Sequence, residues 1–247
     1  MPWQSRQERA HVLKVDHGTG LVLCLLWTQG RAENEIRFHI PEFPPYAYVD
    51  SNEVEGIGVR LVDRIIAEAG LNYTIRLVPN YGRAVAHIRK GISDGFFLAS
   101  QNRERNEAAV FSRPVVPNRW CWFLPVESVL NPHSPRVKGV LRVGTHLNTN
   151  THKWLLGHRF NVTGTPTRIE SLLEKLSLNR INAIFLAELV FYDAVERAGR
   201  DPRVYQWVVQ AEKDFGIYIS KLYLDENPGA MERNNGAIAL LGAGGDK

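Results

Sequence analysis

"YTIRLVPNYGRAVAHIRKGISDGFFLAS", residues 73–100, reads as strand, helix and strand in immediate succession. "YTIRLV" and "DGFFLAS" are strand-like, and "GRAVAHIRKG" between them is helix-like and stops at Gly91. Upstream the same alternation is already running. "EIRFHI" is a strand, and "GVRLVDRIIAEAG" carries Val59, Val62, Ile66 and Ala69 at helical spacing before Gly70. Repeated units of this kind predict a mainly parallel sheet with helices on its faces.

After Ser112 the pattern breaks. "SRPVVPNRWCWFLP" is extended and bounded by prolines, which suits a connecting strand, and "NPHSPRVKG" is a loop. A second alternation then follows. It comprises strand "VLRVGT", a helix from Asn150 to Gly157, strand "RFNVT", helix "RIESLLEKLSL", strand "AIFLA", helix "LVFYDAVERAG" and strand "VYQWVV". "DFGIYIS" is extended again and precedes a short C-terminal helix. The reading is therefore α/β with two lobes.

Composition narrows the function. The 247 residues are 44% hydrophobic, enough for a sizeable core, and carry a formal net charge of +4. The basic residues are scattered apart from Arg103 and Arg105, so nucleic acid is not an expected partner. "GLVLCLLWTQGRA", Gly20 to Ala32, has a short apolar core with Arg6, Arg9 and Lys14 upstream. Gly30 and Ala32 stand at the small-residue positions of a cut before Glu33, so residues 1–32 are expected to be a secretory signal peptide. A buried N-terminal strand or helix is the alternative. Cleavage would remove Cys24 and leave Cys121 as the one cysteine, between Trp120 and Trp122, where an inert buried thiol is expected.

"EFPPYAYVD", residues 42–50, leaves the first strand through two prolines and three aromatics. It either packs a lobe edge or presents Glu42 and Phe43 to a small molecule. Taken in order with "EGIGVRLVDRIIAEAGL", "YGRAVAHIRKGISDG", "RERNEAAVFSRP" and "KGVLRVGTHLNTNTHKWL", it resembles the polar-amino-acid group of bacterial extracellular solute-binding proteins, family three. The resemblance runs from about Ile36 to Ser220. It implies a periplasmic-binding fold, with two lobes joined by crossover strands and a ligand in the cleft. Lobe one would span 33–115, with 216–247 returning to it, and lobe two 116–215. The expected protein is an exported, periplasmic monomer that captures a small polar ligand, an amino acid or a relative, for a membrane permease in ABC-type uptake. A ligand-sensing module docking on a membrane receptor is the alternative, and a dehydratase-like enzyme a further one.

Residue by residue, the resemblance places Phe43 against the ligand with Glu42 and Tyr46 in the same turn. Tyr81 stands where the family usually has tryptophan. Ser100, Asn102 and Arg105 would hold an anionic group, Arg105 being six residues before Phe111, the spacing of the arginine that grips an α-carboxylate. A planar guanidinium offers such a group two parallel donors. Thr149 and Asn150 match the pair opening the first helix of the second lobe, where an anion is favoured, and a plain helix cap explains them equally.

The chain also departs from the pattern. Asn102 replaces a threonine, Arg60 an acid and Asn182 an aspartate. The acid that would hold an α-amino group falls on Ala187, with Glu188 beside it. No nucleophile elbow, phosphate-binding glycine loop or H-E-x-x-H motif is present, so neither a catalytic residue nor a cofactor is expected. His146, His152 and His158 are six apart, a spacing that does not share one helical face, and no metal site is expected from them.

Overall fold

The computed structural model describes residues 35–243, and the export signal expected over 1–32 lies outside them. Two five-stranded mixed sheets organise the chain. The first half begins with β1 (Ile36–Pro41), a small hairpin of β2 (Tyr48–Asp50) and β3 (Glu53–Glu55), and helix α1 (Ile57–Glu68). It continues with β4 (Tyr73–Val78), α2 (Tyr81–Arg89), β5 (Gly95–Ser100), α3 (Arg103–Ala108) and β6 (Ala109–Phe111). The second half holds β7 (Arg119–Pro125), β8 (Arg142–Gly144), α4 (Asn150–Gly157), β9 (Asn161–Gly164) and α5 (Glu170–Ser177). Then come β10 (Ala183–Ala187), α6 (Glu188–Arg197), β11 (Tyr205–Glu212), β12 (Phe215–Ser220), α7 (Lys221–Glu226) and α8 (Ala230–Ala243).

The first sheet runs β4-β1-β5-β12-β6 and the second β11-β7-β10-β8-β9. In each, the βαβ strands are parallel neighbours, as helical crossovers require, while β12 and β7 enter antiparallel. The chain passes between sheets twice, after β6 and after β11. These two passages pair with each other. Lys213 N–H donates to Asn118 O at 2.8 Å, Phe215 N–H to Val116 O at 2.9 Å and Val115 N–H to Phe215 O at 2.8 Å.

The extended stretch "SRPVVPNRWCWFLP" thus divides. Its first half is passage, and its second half is β7, an interior strand rather than a connector. The reason is burial on both faces. Cys121 and Phe123 point one way, and Phe123 stacks on Phe191 of α6 with ring centroids 3.6 Å apart. Trp120, Trp122 and Leu124 point the other way into a second cluster, where Trp122 stacks on Phe185 at 4.4 Å. Period-two alternation with both faces apolar is what a central strand needs. Burial pushes the Cys121 thiol up to about 12, so it is neutral.

The aromatic turn after β1 is fixed by backbone. Pro44–Pro45 is cis, and Gly58 and Val59 N–H at the start of α1 both donate to Tyr46 O, at 3.1 and 3.2 Å. Gly56 precedes that helix at φ +135, and a Cβ there would lie 2.2 Å from Tyr46 O, so only glycine fits.

Candidate functional site

The parallel strands β1, β5, β8 and β10 all end on one edge of their sheets, and the antiparallel partners bring two further residues there. Ala187 pairs with Trp120 at the start of β7, and Ser100 pairs with Phe215 at the start of β12. Loops and helix N-termini converge at such an edge, which is where open α/β sheets take ligands.

A small cavity lies between the two lobes at this point, with a volume of about 30 Å³. That is room for about one water molecule. One side is formed by Phe43, Tyr81, Leu98, Ala99, Ser100 and Arg105, the other by Trp120, Thr149, Asn150, Thr151, Leu186 and Ala187, with Phe215 from the passage between them. Leu98 is the extra residue of a bulge opposite Gly216 and Ile217, and its φ of +55 is rare for a non-glycine residue. The bulge turns the Leu98 carbonyl to Tyr81, whose hydroxyl donates to it at 2.7 Å. Burial raises the Tyr81 hydroxyl above its ordinary value, so it stays protonated.

Arg105 is the one charged side chain on the cavity wall, and it is 3% exposed. Helix α3 carries it, and the Asn102 side chain caps that helix by accepting from Arg105 N–H at 2.8 Å. Its guanidinium donates through Nη1 to Ser100 O at 2.6 Å and lies over the Tyr81 ring, 5.0 Å from the centroid. Burial pulls its pKa below the ordinary arginine value. Among the described residues, no carboxylate is bonded to it. Adjacent Glu104 instead pairs with Lys153 and Arg89. Arg105 is thus a buried cation with donors to spare, which folded proteins keep only when something pairs with it.

Across the cavity, Thr149 caps α4 by accepting from His152 N–H at 3.3 Å and donates to His146 O at 2.7 Å. Its hydroxyl touches that of Thr151 at 2.8 Å, and Thr151 touches Thr145 at 2.9 Å. The Asn150 amide reaches over the cavity and donates to both Ser100 O and Ser100 Oγ at 2.8 Å, while Asn102 donates to its oxygen. With the Lys153–Glu104 ion pair, these bonds hold the cleft shut.

Of the residues expected from sequence, Phe43, Tyr81, Ser100, Arg105, Thr149 and Asn150 meet around this cavity, and Asn102 stands one contact behind it. The others go elsewhere. Glu42 is exposed and borders a neighbouring cavity of about 250 Å³ with Phe43, His146 and Arg168. His146 stacks on Phe43 at 5.9 Å; its Nδ1 is buried without a partner, and burial pushes it down to about 4. Tyr46 and Glu188 line a third cavity, of about 440 Å³, with Asn118 and Arg119. Glu188 accepts from Arg119 Nε at 2.6 Å and Nη2 at 2.8 Å, and the Tyr46 hydroxyl is buried without a partner. His152 accepts from Asn148 N–H and His158 stacks on Trp154, so the three histidines do not converge.

Sequence reading missed Leu98, Ala99, Trp120, Thr151, Leu186 and Phe215 on the wall, whereas Ala187, the position matched to the family's acid, does line it. Thr151 was within reach, since it follows the Thr149–Asn150 pair directly. Trp120 and Phe215 depend on antiparallel register, which no local pattern reveals.

No protein-family model and no curated protein matches the chain. Solved structures do. A substrate-binding protein of an ABC uptake transporter from Streptococcus pneumoniae, with bound histidine, superposes with TM-score 0.71 at 15% identity, over 85% of this chain and 88% of that one. The GluR0 ligand-binding core from Nostoc punctiforme, in complex with L-glutamate, gives 0.70 at 18%, over 85% and 94%. The arginine-, lysine- and histidine-binding protein from Geobacillus stearothermophilus gives 0.69 at 15%, over 86% and 91%. At these identities the likeness is one of fold, and it agrees with the two sheets and two passages described above: the chain has the two-lobed α/β fold of periplasmic binding proteins.

Proposed function

We propose that this protein is an exported solute-binding protein that captures a small polar molecule with a carboxylate, an amino acid or a related compound, for ABC-type uptake. The observation that carries the reading is Arg105, a guanidinium 3% exposed on a cavity wall, with one hydrogen bond and no acidic partner. A ligand carboxylate would supply the missing anion bidentately. Thr149 and Asn150 at the start of α4 would close on it from the other lobe, where the helix dipole favours negative charge. No carboxylate or imidazole lines the cavity to form an acid–base pair with a bound molecule, which favours binding over catalysis.

The paired passages at Val115–Asn118 and Lys213–Phe215 suit a hinge. A ligand touching both lobes shifts the population towards the closed form, and that form is what a membrane partner would read. A thermal-shift screen of the purified protein against amino acids, polyamines, small carboxylates and short peptides tests the proposal. At 100 times Kd a ligand adds about 2.7 kcal/mol, roughly 5–11 °C for a domain of this size. A carboxylate-bearing class giving such a shift is the expected result, and a folded protein that no compound shifts would overturn it.

A further inference from the structure

We infer that the cleft selects a carboxylate without an α-ammonium group: an α-hydroxy, α-oxo or unsubstituted carboxylic acid rather than an amino acid. This rests on the solute-binding reading and narrows its ligand.

An α-amino acid held through its carboxylate at Arg105 carries an ammonium one carbon away, with three N–H donors that need acceptors. The wall meets them with neutral oxygens only, several of them already engaged: Ser100 O accepts from Arg105 Nη1 and the Asn150 amide, Ser100 Oγ from the same amide, and Leu98 O from the Tyr81 hydroxyl, while Thr149 and Thr151 share their hydroxyls with each other. No carboxylate lines it to pair with the ammonium. Most of the remaining wall is apolar: Phe43, Leu98, Leu186, Ala187 and Phe215, beside Trp120, whose indole is a donor.

Charge gives the same answer. Arg105 is the one ionisable group facing the cavity that is charged at neutral pH, so an anion neutralises the site, whereas a zwitterion leaves it at +1 with a buried, unpaired ammonium. The nearest acid in sequence, Glu188, belongs to the 440 Å³ cavity and is held there by its two bonds to Arg119. Donors are plentiful instead. Arg105 has Nε and Nη2 to offer, and the N–H groups of Asn150 and Thr151 open α4 without intrahelical acceptors. An α-oxygen suits such a surface and an ammonium does not, and a site built for one polar pattern rejects the other strongly.

Ala187 supplies the converting substitution. It is the N-cap of α6, with φ −61 and ψ 136 and no side-chain cap, and it lines the cavity. Aspartate is favoured at such a position, so Ala187→Asp adds an acid to the wall while capping the helix.

The test is isothermal titration of the purified full chain with matched sets: alanine, lactate, pyruvate and propionate; leucine, hydroxyisocaproate, ketoisocaproate and isocaproate; phenylalanine, phenyllactate, phenylpyruvate and phenylpropionate; aspartate, malate, oxaloacetate and succinate. In whichever set binds, an amino-free acid is expected to bind at least about tenfold more tightly than the amino acid, and Ala187→Asp to shift the ratio at least about tenfold towards the amino acid. A wild-type protein that prefers the amino acid overturns this inference and leaves the solute-binding reading standing. Failure of every acid in every set overturns both. Should Ala187→Asp not fold, the wild-type ratios alone decide.

Discussion

Replacing Arg105 by methionine separates a structural arginine from a binding one. The substitution keeps an unbranched side chain in α3 and removes the charge. On the loss side stand one charge-assisted hydrogen bond, Nη1 to Ser100 O at 2.6 Å, worth about 1.5–3 kcal/mol, and the ring contacts with Tyr81 at 5.0 Å and Phe96 at 5.6 Å, worth about 1–2 kcal/mol together. On the gain side stands relief of a fully buried charge that no carboxylate hydrogen-bonds, a cost of several kcal/mol. Ser100 O is not orphaned, because the Asn150 amide still donates to it at 2.8 Å. The two sides offset, and urea unfolding followed by tryptophan fluorescence should give a stability within about 1 kcal/mol of wild type. Carboxylate binding should fall at least about 30-fold, since truncating one partner of a buried charge pair costs about 2–5 kcal/mol. A variant destabilised by about 3 kcal/mol or more that still binds would refute the reasoning, because Arg105 would then be holding the fold and not a ligand.

Two further outcomes follow from single residues. His146 titrates near 4 against an unfolded value of 6.5 because burial disfavours its charged form, so the unfolded chain takes up the proton first. Stability is therefore complete above pH 6.5 and is lost as pH falls towards 4, by about 3 kcal/mol for a shift of this size. Urea midpoints at pH 7 and pH 4.5 should differ less in His146→Phe than in wild type, and equal differences would remove His146 as the cause. Gly56→Ala should cost at least about 2 kcal/mol, since φ +135 and a Cβ 2.2 Å from Tyr46 O leave no relaxed arrangement. A near-neutral effect in the same urea experiment would show that the aromatic turn is not tied to α1 as described.

Elements were legible where local pattern decides them. The β4–α2–β5 stretch, the helix from Asn150 to Gly157 and the strand Ala183–Ala187 follow from periodicity and from glycine stops such as Gly70 and Gly91. The hairpin of β2 and β3 and the three-residue β6 were not, because runs so short carry no period. The "RWCWFLP" segment reads as extended from composition, yet its place between β10 and β11 depends on which distant strands cover its two faces. The site divides along the same line. Phe43, Ser100, Arg105 and Thr149 sit at the ends of elements whose order is readable. Glu188 was misplaced by one side-chain direction: it starts α6 facing Arg119, while Ala187, one residue earlier, takes the cavity.

The closed cleft also explains how so small a cavity could serve a ligand several times its volume. What fills the space is the Asn150 amide, spanning from α4 to Ser100 and Asn102 on the other lobe. Phe43 adds a second bridge, stacked on Tyr46 at 6.0 Å within its own lobe and on His146 at 5.9 Å across the cleft. Opening about the paired passages breaks both bridges together and frees Ser100 O, Ser100 Oγ and the Asn150 donor at once. An entering carboxylate can then accept from Asn150 in place of Ser100, so a bond that shuts the cleft becomes a bond to the ligand. The rigid proline turn keeps Phe43 in place throughout, and a wall already ordered loses less entropy on binding. In this arrangement closure needs no new element: the residues that latch the cleft are those that would meet a ligand, and the ligand is favoured only by as much as Arg105 gains when its charge is met.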